Sequence, residues 1–227
     1  MPKSVLAVLP IRKTDDESIV AHFSDGSRLK FSKNEGIIHA YEEPQGVYLI
    51  KSGFVKAYSI SRTGNENLLL IHQAGDFIPL PWALDGEHTT GLRYEAMSNV
   101  DILRTSKEKL RGAMGDNPWL AQQVMSQTVS MLGLYTQRIQ TLEFRSARGR
   151  VISELIHLAE RFGKTRGQEV LINAPITHQD IADSINMTRE TASRAIGLLI
   201  EEGLMGQDEH LFTVKDMPNL YIALDTA

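Results

Sequence analysis

The hydrophobic and polar positions follow two different rhythms along the chain. From about residue 18 to residue 105, short apolar runs such as GIIHAY, GVYLI, FVKAYSI and NLLLIH alternate with turns such as SKNEG, EEPQG and KSG. Glycine, asparagine and proline in these turns suit tight reversals of the backbone. Short strands separated by tight turns are typical of antiparallel sheets. The first half of the chain is therefore predicted to be a β sandwich or barrel.

The second rhythm begins after residue 105 and is helical. Asn117 is a candidate N-cap and Pro118 suits the first helical position, and the pattern then continues to about residue 145. One stripe on this helix consists of Ala121, Met125, Thr128, Leu132, Tyr135, Ile139 and Leu142, and an adjacent stripe of Leu120, Val124, Gln127, Met131 and Leu134. A face this wide predicts packing against both the chain's own β-domain and a second copy of the chain. A single buried core helix is the alternative, although this helix is longer than one small core needs.

Two shorter helices joined by a tight corner are predicted between residues 177 and 205. Before them, ARGRVISELIHLAERF has a helical period that Gly163 ends. Thr177 is a candidate N-cap with Asp180 in the first turn, where a carboxylate suits the positive end of the helix dipole. The letters SINM then form the corner, in which Asn186 needs a positive φ that asparagine tolerates. Thr188 caps the second helix, and the following GLMGQDEHLFTV is typical of a β-hairpin, so the segment is predicted to be a winged helix-turn-helix.

The second helix of this pair carries an exposed polar face formed by Arg189, Glu190, Ser193 and Arg194. In a DNA major groove, arginine can bridge O6 and N7 of guanine, glutamate can accept from the cytosine amino group, and serine can serve a base or a phosphate. The alternative is surface ion pairing on an ordinary helix. The order of cap, small residue, corner and hairpin favours DNA contact. Three residues at the two helix starts complete the predicted DNA-contact set: Thr177, His178 and Thr188.

Composition excludes several classes of protein. The 227 residues have a formal net charge of -4, which argues against coating nucleic acid through bulk electrostatics, although basic residues gather between positions 138 and 166 as they also would on a solvated helix face. The absence of cysteine excludes disulfides, Cys-ligated iron–sulfur clusters and thiol switches. No apolar run is long enough to cross a membrane and the N-terminus has no secretory signal pattern, so a cytoplasmic location is expected.

Three stretches of the sequence together resemble one known family. GVYLIKSGFVKAY, followed by GNE and AGDF, is similar to a cyclic-nucleotide-binding-type β-roll, NPWLAQQVMSQ to the start of a dimerisation helix, and TRETASR to a recognition helix. At these residues the chain resembles the CRP/FNR family of bacterial transcription regulators. The resemblance implies an α+β fold with a β-roll (jelly roll) sensor domain over residues 1–116, a long dimerisation helix and hinge over 117–145, and a winged helix-turn-helix DNA-binding domain over 146–227.

The resemblance also implies how the protein works. Arg189, Glu190 and Arg194 fall at the family's base-reading positions, and Ser193 falls where one branch of the family uses serine and another glycine. A homodimer is then expected to bind double-stranded DNA at a palindromic operator, with TGA-containing half-sites about one helical turn apart. RNA polymerase is the expected protein partner, and a small-molecule effector of unknown identity is expected in the β-roll.

The effector site departs from the pattern of the family's cyclic-AMP-responding members. Gly75 and Asp76 are present, but Thr90 and Gly91 stand where an Arg-Ser pair would hold the phosphate, and Arg93 is displaced by a few residues. A buried phosphate without a bidentate arginine is poorly compensated, so cyclic AMP is not the expected effector. The stretch IPLPWAL either walls a pocket for a more apolar molecule or is a structural loop. The predicted effector pocket comprises Gly75, Asp76, Trp82, Arg93 and Tyr135.

Other effector and enzyme chemistries fit the sequence less well. A haem-binding branch of the family uses an N-terminal proline, which Pro2 would supply. That branch also needs a histidine in the loop where this chain has Pro79, Leu80 and Pro81, and His72 and His88 are out of register. A cupin-like metal-dependent enzyme and a cyclic-nucleotide-binding signalling protein are the alternatives to a regulator. The seven histidines contain no His-x-His spacing, and there is no Gly-rich phosphate loop or nucleophile elbow. No catalytic residue, metal site or cofactor is therefore predicted.

Overall fold

The computed structural model describes residues 20, 23, 26–61, 63–85, 91–208 and 211–227. The chain divides after Leu134 into two compact units, and each is described by itself. The start of the predicted β-region, from residue 18 to residue 25, and the tip of the predicted C-terminal hairpin lie largely outside the described residues. Within the described part of the chain, no helix combines the length and the apolar character that crossing a membrane requires.

The first unit contains two antiparallel four-stranded sheets, which form the predicted β-roll. Their strands are β1 (Ser27–Phe31), β2 (Gly36–Ile38), β3 (Val47–Ser52), β4 (Phe54–Ile60), β5 (Glu66–Gln73), β6 (Phe77–Ile78), β7 (Arg93–Ala96) and β8 (Val100–Thr105). One sheet has the order β1-β8-β3-β6 and the other β2-β7-β4-β5. Buried and partly exposed residues alternate along β7, as expected of a strand with one face on the core. The rhythm of short apolar runs therefore predicted this architecture correctly.

Local backbone requirements explain the turn residues and two short helices of this unit. Gly53, between β3 and β4, has φ +91°, and a Cβ there would lie 2.3 Å from the carbonyl oxygen of Asn99, so only glycine fits. Helix α1 (Leu80–Asp85) occupies most of the stretch IPLPWAL, which is therefore helical rather than a loop. Helix α2 (Lys107–Asp116), which the sequence interpretation did not include, begins where the Ser106 side chain accepts from the backbone N–H of Lys109.

Helix α3 (Pro118–Phe144) begins as predicted and has two distinct faces. The Asn117 side chain accepts from the backbone N–H groups of Trp119 (3.1 Å) and Leu120 (3.2 Å). The stripe that is buried consists of Leu120, Val124, Gln127, Met131 and Leu134. The stripe that is exposed consists of Met125 (68%), Val129 (59%), Leu132 (66%) and Ile139 (63%). The division of the chain falls inside this helix, whereas the predicted domain boundaries at 116/117 and 145/146 lie one residue outside its two ends.

The second unit combines helices with a small sheet. Its remaining elements are α4 (Ala147–Phe162), β9 (Gly163–Arg166), β10 (Glu169–Ile172), α5 (His178–Ser184), α6 (Arg189–Glu201), β11 (Met205–Asp208), β12 (Leu211–Val214) and α7 (Met217–Asp225). The sheet has the order β11-β12-β10-β9. Helix α4 ends at Gly163 as predicted, and a Cβ at that position would lie 2.0 Å from the carbonyl oxygen of Ala159, so only glycine fits there. The β9–β10 hairpin was not predicted, whereas the β11–β12 hairpin is the predicted wing.

Candidate nucleic-acid interface and effector site

Helices α5 and α6 are joined by the tight corner that the sequence predicts. At the start of α5, Thr177 and Asp180 form a capping box: the Asp180 N–H donates to Thr177 Oγ1 (3.1 Å), and the Thr177 N–H donates to Asp180 Oδ2 (2.8 Å). Asn186 has φ 54° in the corner, and Thr188 caps α6 by accepting from the N–H of Thr191. Ala182 is fully buried, which lets the helices approach closely. The predicted helix-turn-helix is confirmed residue by residue.

The second helix of the motif presents a polar outer face. Its inner residues Ala192, Ile196 and Leu199 are fully buried. Arg189, Glu190 and Arg194 are exposed, and none of the three forms an ion pair or side-chain hydrogen bond with another described residue. The alternative interpretation, surface ion pairing, is therefore not supported within the described chain. These three side chains lie near the start of the helix and are available to a ligand. Arginine and glutamate can form hydrogen bonds with the edges of DNA bases.

The hydroxyl and imidazole groups predicted to contact DNA are already engaged inside this unit. Thr177 Oγ1 also donates to Asp180 Oδ2 (2.6 Å), and Thr188 Oγ1 lies 3.0 Å from Thr191 Oγ1, so both threonines act as helix caps. His178 Nδ1 lies 2.7 Å from Ser193 Oγ and connects the start of α5 to the flank of α6. Sequence spacing did not indicate this contact, because the two residues are 15 positions apart.

Several of the basic residues between positions 138 and 166 form hydrogen bonds or ion pairs within the second unit. Arg145 donates to the carbonyl oxygen of Leu224 (2.8 Å) near the end of α7. Arg148 forms a two-pronged ion pair with Glu202 (2.8 and 2.5 Å), and Arg150 donates to the carbonyl oxygen of Leu142 (2.7 Å). These contacts fasten the ends of helices within the second unit. Because these arginines are engaged within the protein, the basic residues between 138 and 166 do not form a continuous basic surface for DNA.

A half-buried polar cluster lies where α4 packs in the same unit. Burial raises the pKa of the Glu154 carboxyl, while the Arg138 guanidinium and a hydrogen bond with Ser184 of α5 act in the opposite direction. Burial, then the charges of Arg161 and Arg138, lower the pKa of the half-buried His157 to about 3. His157 is therefore neutral at physiological pH. The cluster links the last part of α3 to α4 and to the first helix of the helix-turn-helix.

Two of the predicted effector residues form a turn in the interior of the β-roll. Gly75 has φ +95° in the turn between β5 and β6. The Asp76 carboxylate accepts from the N–H of Gln73 (3.0 Å) and lies 3.5 Å from His72 Nδ1. His72 is 2% exposed and Asp76 is completely buried, and the His72 ring lies 5.9 Å from the Tyr94 ring. Sequence reasoning considered His72 only as a haem ligand and missed its burial beside Asp76, although its i+2 spacing from the buried Leu70 places both side chains on the inner face of β5.

The other predicted effector residues are not gathered around that turn. Trp82 is buried in α1, with the Lys107 ammonium 4.9 Å from its ring centroid. Arg93 lies on the face of β7 opposite Tyr94, with its guanidinium 4.0 Å from the Glu95 carboxylate. Tyr135 is the first residue of the second unit. Thr90 lies outside the described residues. Among the described residues, no group of three or more His, Asp or Glu side chains is arranged to hold a metal ion.

Comparisons with known proteins agree with this architecture. Residues 28–117 match the family model of the cyclic nucleotide-binding domain, and residues 149–221 match that of the Crp-like helix-turn-helix domain. The "Anaerobic regulatory protein" of Bacillus subtilis (strain 168) is 25% identical over 88% of this chain and 87% of its own length. The "CRP-like cAMP-activated global transcriptional regulator" of Mycobacterium tuberculosis (strain ATCC 25618 / H37Rv) is 25% identical, with 84% of each chain covered.

A solved structure shows the same fold. The CooA mutant from Carboxydothermus hydrogenoformans superimposes with a TM-score of 0.79 at 22% identity, covering 94% of this chain and 98% of that chain. The sensor-domain match precedes α3 and the DNA-binding match follows it, in the order in which the two described units occur. The Bacillus relative is named as a regulatory protein and the mycobacterial relative as a transcriptional regulator. The chain therefore belongs to the CRP/FNR family of bacterial transcription regulators.

Proposed function

We propose that this regulator is a homodimer that inserts α6 into the major groove of a two-fold symmetric operator and responds to an effector other than cyclic AMP. The observation that carries the proposal is the outer face of α6. Arg189, Glu190 and Arg194 project from a capped, rigid helix, and no described residue pairs with them. Side chains that are not committed to the protein are available to base edges, and a rigid helix positions them repeatably.

The chemistry of these side chains indicates what they read. An arginine fork matches O6 and N7 of guanine, and a carboxylate accepts from the cytosine amino group. A carboxylate pointed at DNA is repelled by phosphate, so Glu190 contributes selectivity more than affinity. We expect half-sites containing TGA, about one helical turn apart, with one half-site for each subunit. RNA polymerase is the proposed partner through which the bound dimer acts on transcription.

The exposed stripe of α3 supports the dimer. Met125, Val129, Leu132 and Ile139 recur at intervals of three, four and seven residues along one side of the helix. Intervals of this kind form the seam of a two-stranded coiled coil. Burying this stripe against the same stripe of a second copy removes large apolar side chains from water on both helices.

The proposed effector differs from the one in the name of the mycobacterial relative. That protein is called cAMP-activated. In the present chain Thr90 and Gly91 replace the Arg-Ser pair of cyclic-AMP-responding members, and Arg93 faces Glu95. A cyclic phosphate would therefore enter the β-roll without a bidentate partner. An effector can shift the DNA-binding equilibrium only if it binds one arrangement of the dimer better, by about 1–3 kcal/mol for an ordinary allosteric effect.

The test is selection of bound duplexes from a random pool by the purified full-length protein, with and without an extract of bacterial cells. We expect enrichment of a two-fold symmetric site, with the extract changing the yield if an effector is needed. The double variant Arg189→Ala/Arg194→Ala should enrich nothing. Arg166→Ala, which removes an exposed arginine of β9, is the matched control and should enrich the same site. Enrichment without symmetry, or none under either condition, would overturn the proposal.

A further inference from the structure

The imidazole ring of His178 connects three parts of the DNA-binding unit. Nδ1 lies 2.7 Å from Ser193 Oγ on the flank of α6, and Nε2 lies 3.3 Å from Gln207 Oε1 on β11 of the wing. The ring packs against Phe212, with 5.3 Å between centroids. Phe212 is buried and stands opposite Gln207 in the β11–β12 hairpin. The ring is therefore held in one orientation, with each nitrogen directed at a different partner.

This arrangement determines which nitrogen carries the ring proton. An amide oxygen has no proton to give, so with Oε1 of the Gln207 amide facing the ring, as it does here, Gln207 accepts and the hydrogen lies on Nε2. In a ring with one proton, Nδ1 is then an acceptor. Ser193 completes the contact by donating its hydroxyl proton to Nδ1. Because serine has a single hydroxyl proton, Ser193 has only lone pairs left to offer elsewhere.

From this geometry we infer that His178 and Gln207 determine which base Ser193 can recognise. The inference rests on the proposed function, in which α6 enters the major groove. Ser193, with only lone pairs available, accepts a hydrogen bond from a base amino group, namely adenine N6 or cytosine N4. It does not donate to guanine O6 or thymine O4. His178 and Gln207 are thus positioning residues: they act through Ser193, and Gln207 does so from the wing.

A single substitution at the wing should reverse the direction of the hydrogen bond between His178 and Ser193. We call the chain of contacts from Gln207 through His178 to Ser193 the relay. Gln207→Lys places a donor beside Nε2, so the ring proton moves to Nδ1 and is donated to Ser193 Oγ. The serine proton is then free to be donated to guanine or thymine. Gln207→Glu keeps an acceptor oxygen at the same place and is the conservative counterpart. Both variants change the charge near DNA and hence the overall affinity, so the informative quantity is base preference at one position rather than affinity.

Two measurements test the inference on the full-length protein. The first is the nitrogen-15 NMR spectrum of the His178 ring. It should show hydrogen on Nε2 in the natural protein and in Gln207→Glu, and on Nδ1 in Gln207→Lys. Hydrogen on Nδ1 in the natural protein would overturn the inference without any reference to DNA.

The second measurement is selection from a random pool with four proteins. The operator position that loses its preference in Ser193→Ala is the one that Ser193 reads. At that position, the natural protein and Gln207→Glu should prefer adenine or cytosine on the contacted strand, and Gln207→Lys should shift towards guanine or thymine. One hydrogen bond of this kind corresponds to a change of about 2- to 12-fold in the affinity ratio.

The outcomes separate this inference from the proposed function. If the natural protein enriches a symmetric site but Gln207→Lys enriches the same bases at the Ser193 position, the relay is wrong and the proposed function stands. The same conclusion follows if Ser193→Ala leaves every position unchanged. If the natural protein enriches no site although His178 carries hydrogen on Nε2, the proposed function fails while the proton arrangement stands.

Discussion

The side-chain amide of Gln127 forms two hydrogen bonds with the backbone of Phe77, one to its N–H and one to its carbonyl oxygen, both 2.9 Å long. Gln127 is buried on the inner stripe of α3, and Phe77 lies in β6, directly after the Gly75–Asp76 turn. A glutamine side chain therefore takes the place of a neighbouring strand. It fastens the long helix to the segment of the β-roll that precedes α1.

Replacing Gln127 by leucine should destabilise the first unit. The substitution keeps the volume but leaves a buried N–H and a buried carbonyl of Phe77 without their partner, which costs about 2–4 kcal/mol in the free energy of unfolding. Both tryptophans, Trp82 and Trp119, belong to this unit, so urea unfolding followed by tryptophan fluorescence reports on it selectively. The matched control is Gln122→Leu at an exposed position of α3. Equal midpoints for the two variants would contradict the assigned role.

Replacing Leu132 by glutamate should separate the proposed dimer. Its side chain is 66% exposed in the single chain, and at the proposed seam the new carboxylate would face its own copy across an apolar interface. Light scattering coupled to size-exclusion chromatography should give the mass of one chain rather than two at micromolar concentration. Gln137→Glu adds the same charge to a different side of α3 and should remain dimeric. A variant that stays dimeric would place the interface elsewhere.

His157 should make the stability of the second unit depend on pH. Its pKa falls from 6.5 to about 3 in the folded protein, so the unfolded chain binds more protons throughout that interval. The contribution of His157 is therefore complete above pH 6.5 and is lost as the pH falls from 6.5 towards 3. The expected slope near pH 5 is about 1.4 kcal/mol per pH unit.

The measurement compares the natural protein with His157→Gln by hydrogen exchange of amides in α4 between pH 4.5 and 7. Glu154, whose pKa is raised, contributes with the opposite sign in both proteins, so the difference between them isolates His157. As the pH falls from 7 to 4.5, the natural protein should therefore lose stability relative to His157→Gln. Two stability curves that run parallel would show that the ring is not the titrating group.

The corner at Asn186 makes a separate stability prediction. Asn186 is exposed and has φ 54°, a conformation that costs residues with a Cβ about 1–2 kcal/mol, and asparagine less than most. Asn186→Val should therefore destabilise the second unit by about 1–2 kcal/mol, whereas Asn186→Gly should lie within about 0.5 kcal/mol of the natural protein. Hydrogen exchange in α5 and α6 measures both. Equal losses in the two variants would mean that the Asn186 side chain, rather than its φ, stabilises the corner.

Features with a local physical cause could be predicted from the sequence. The caps at Asn117, Thr177 and Thr188 and the corner at Asn186 depend on residues within a few positions, and each is confirmed. The two stripes of α3 follow from helical spacing alone. The predicted outer stripe nevertheless omitted Val129, which is 59% exposed, because spacing gives the direction of a face but not its full width.

Features that depend on distant partners could not be predicted. The contacts of Ser193 with His178 and of Arg148 with Glu202 join residues far apart in sequence, and neither has a local signal. From its position in the sequence Arg148 belongs to the basic cluster, but in the structure its charge is paired with that of Glu202. Likewise, the displaced Arg93 looked available for a ligand, whereas the alternation of β7 turns it to the face that carries Glu95. Site predictions made from residue type alone are weakest where a charged residue has an internal partner.

Replacing Arg194 by alanine tests the recognition helix most directly. Arg194 is exposed on α6 with no described side-chain partner, so its removal should not disturb the fold. If it reads guanine, the loss should be about 1–3 kcal/mol at the cognate site, or about 5- to 150-fold in affinity, and any base should then be tolerated at that position. Fluorescence anisotropy with the selected duplex, its single-base variants and a scrambled duplex measures both quantities.

The control for this variant is Arg166→Ala, which removes the same charge from an exposed strand of the second unit. Loss of a charge that merely attracts phosphate weakens all duplexes alike and reduces the salt dependence of binding. Loss of a base contact weakens the cognate duplex selectively and leaves the scrambled duplex almost unchanged. If Arg194→Ala lowered the affinity for both duplexes by the same factor, Arg194 would be a phosphate contact, and base reading would rest with Arg189 and Glu190.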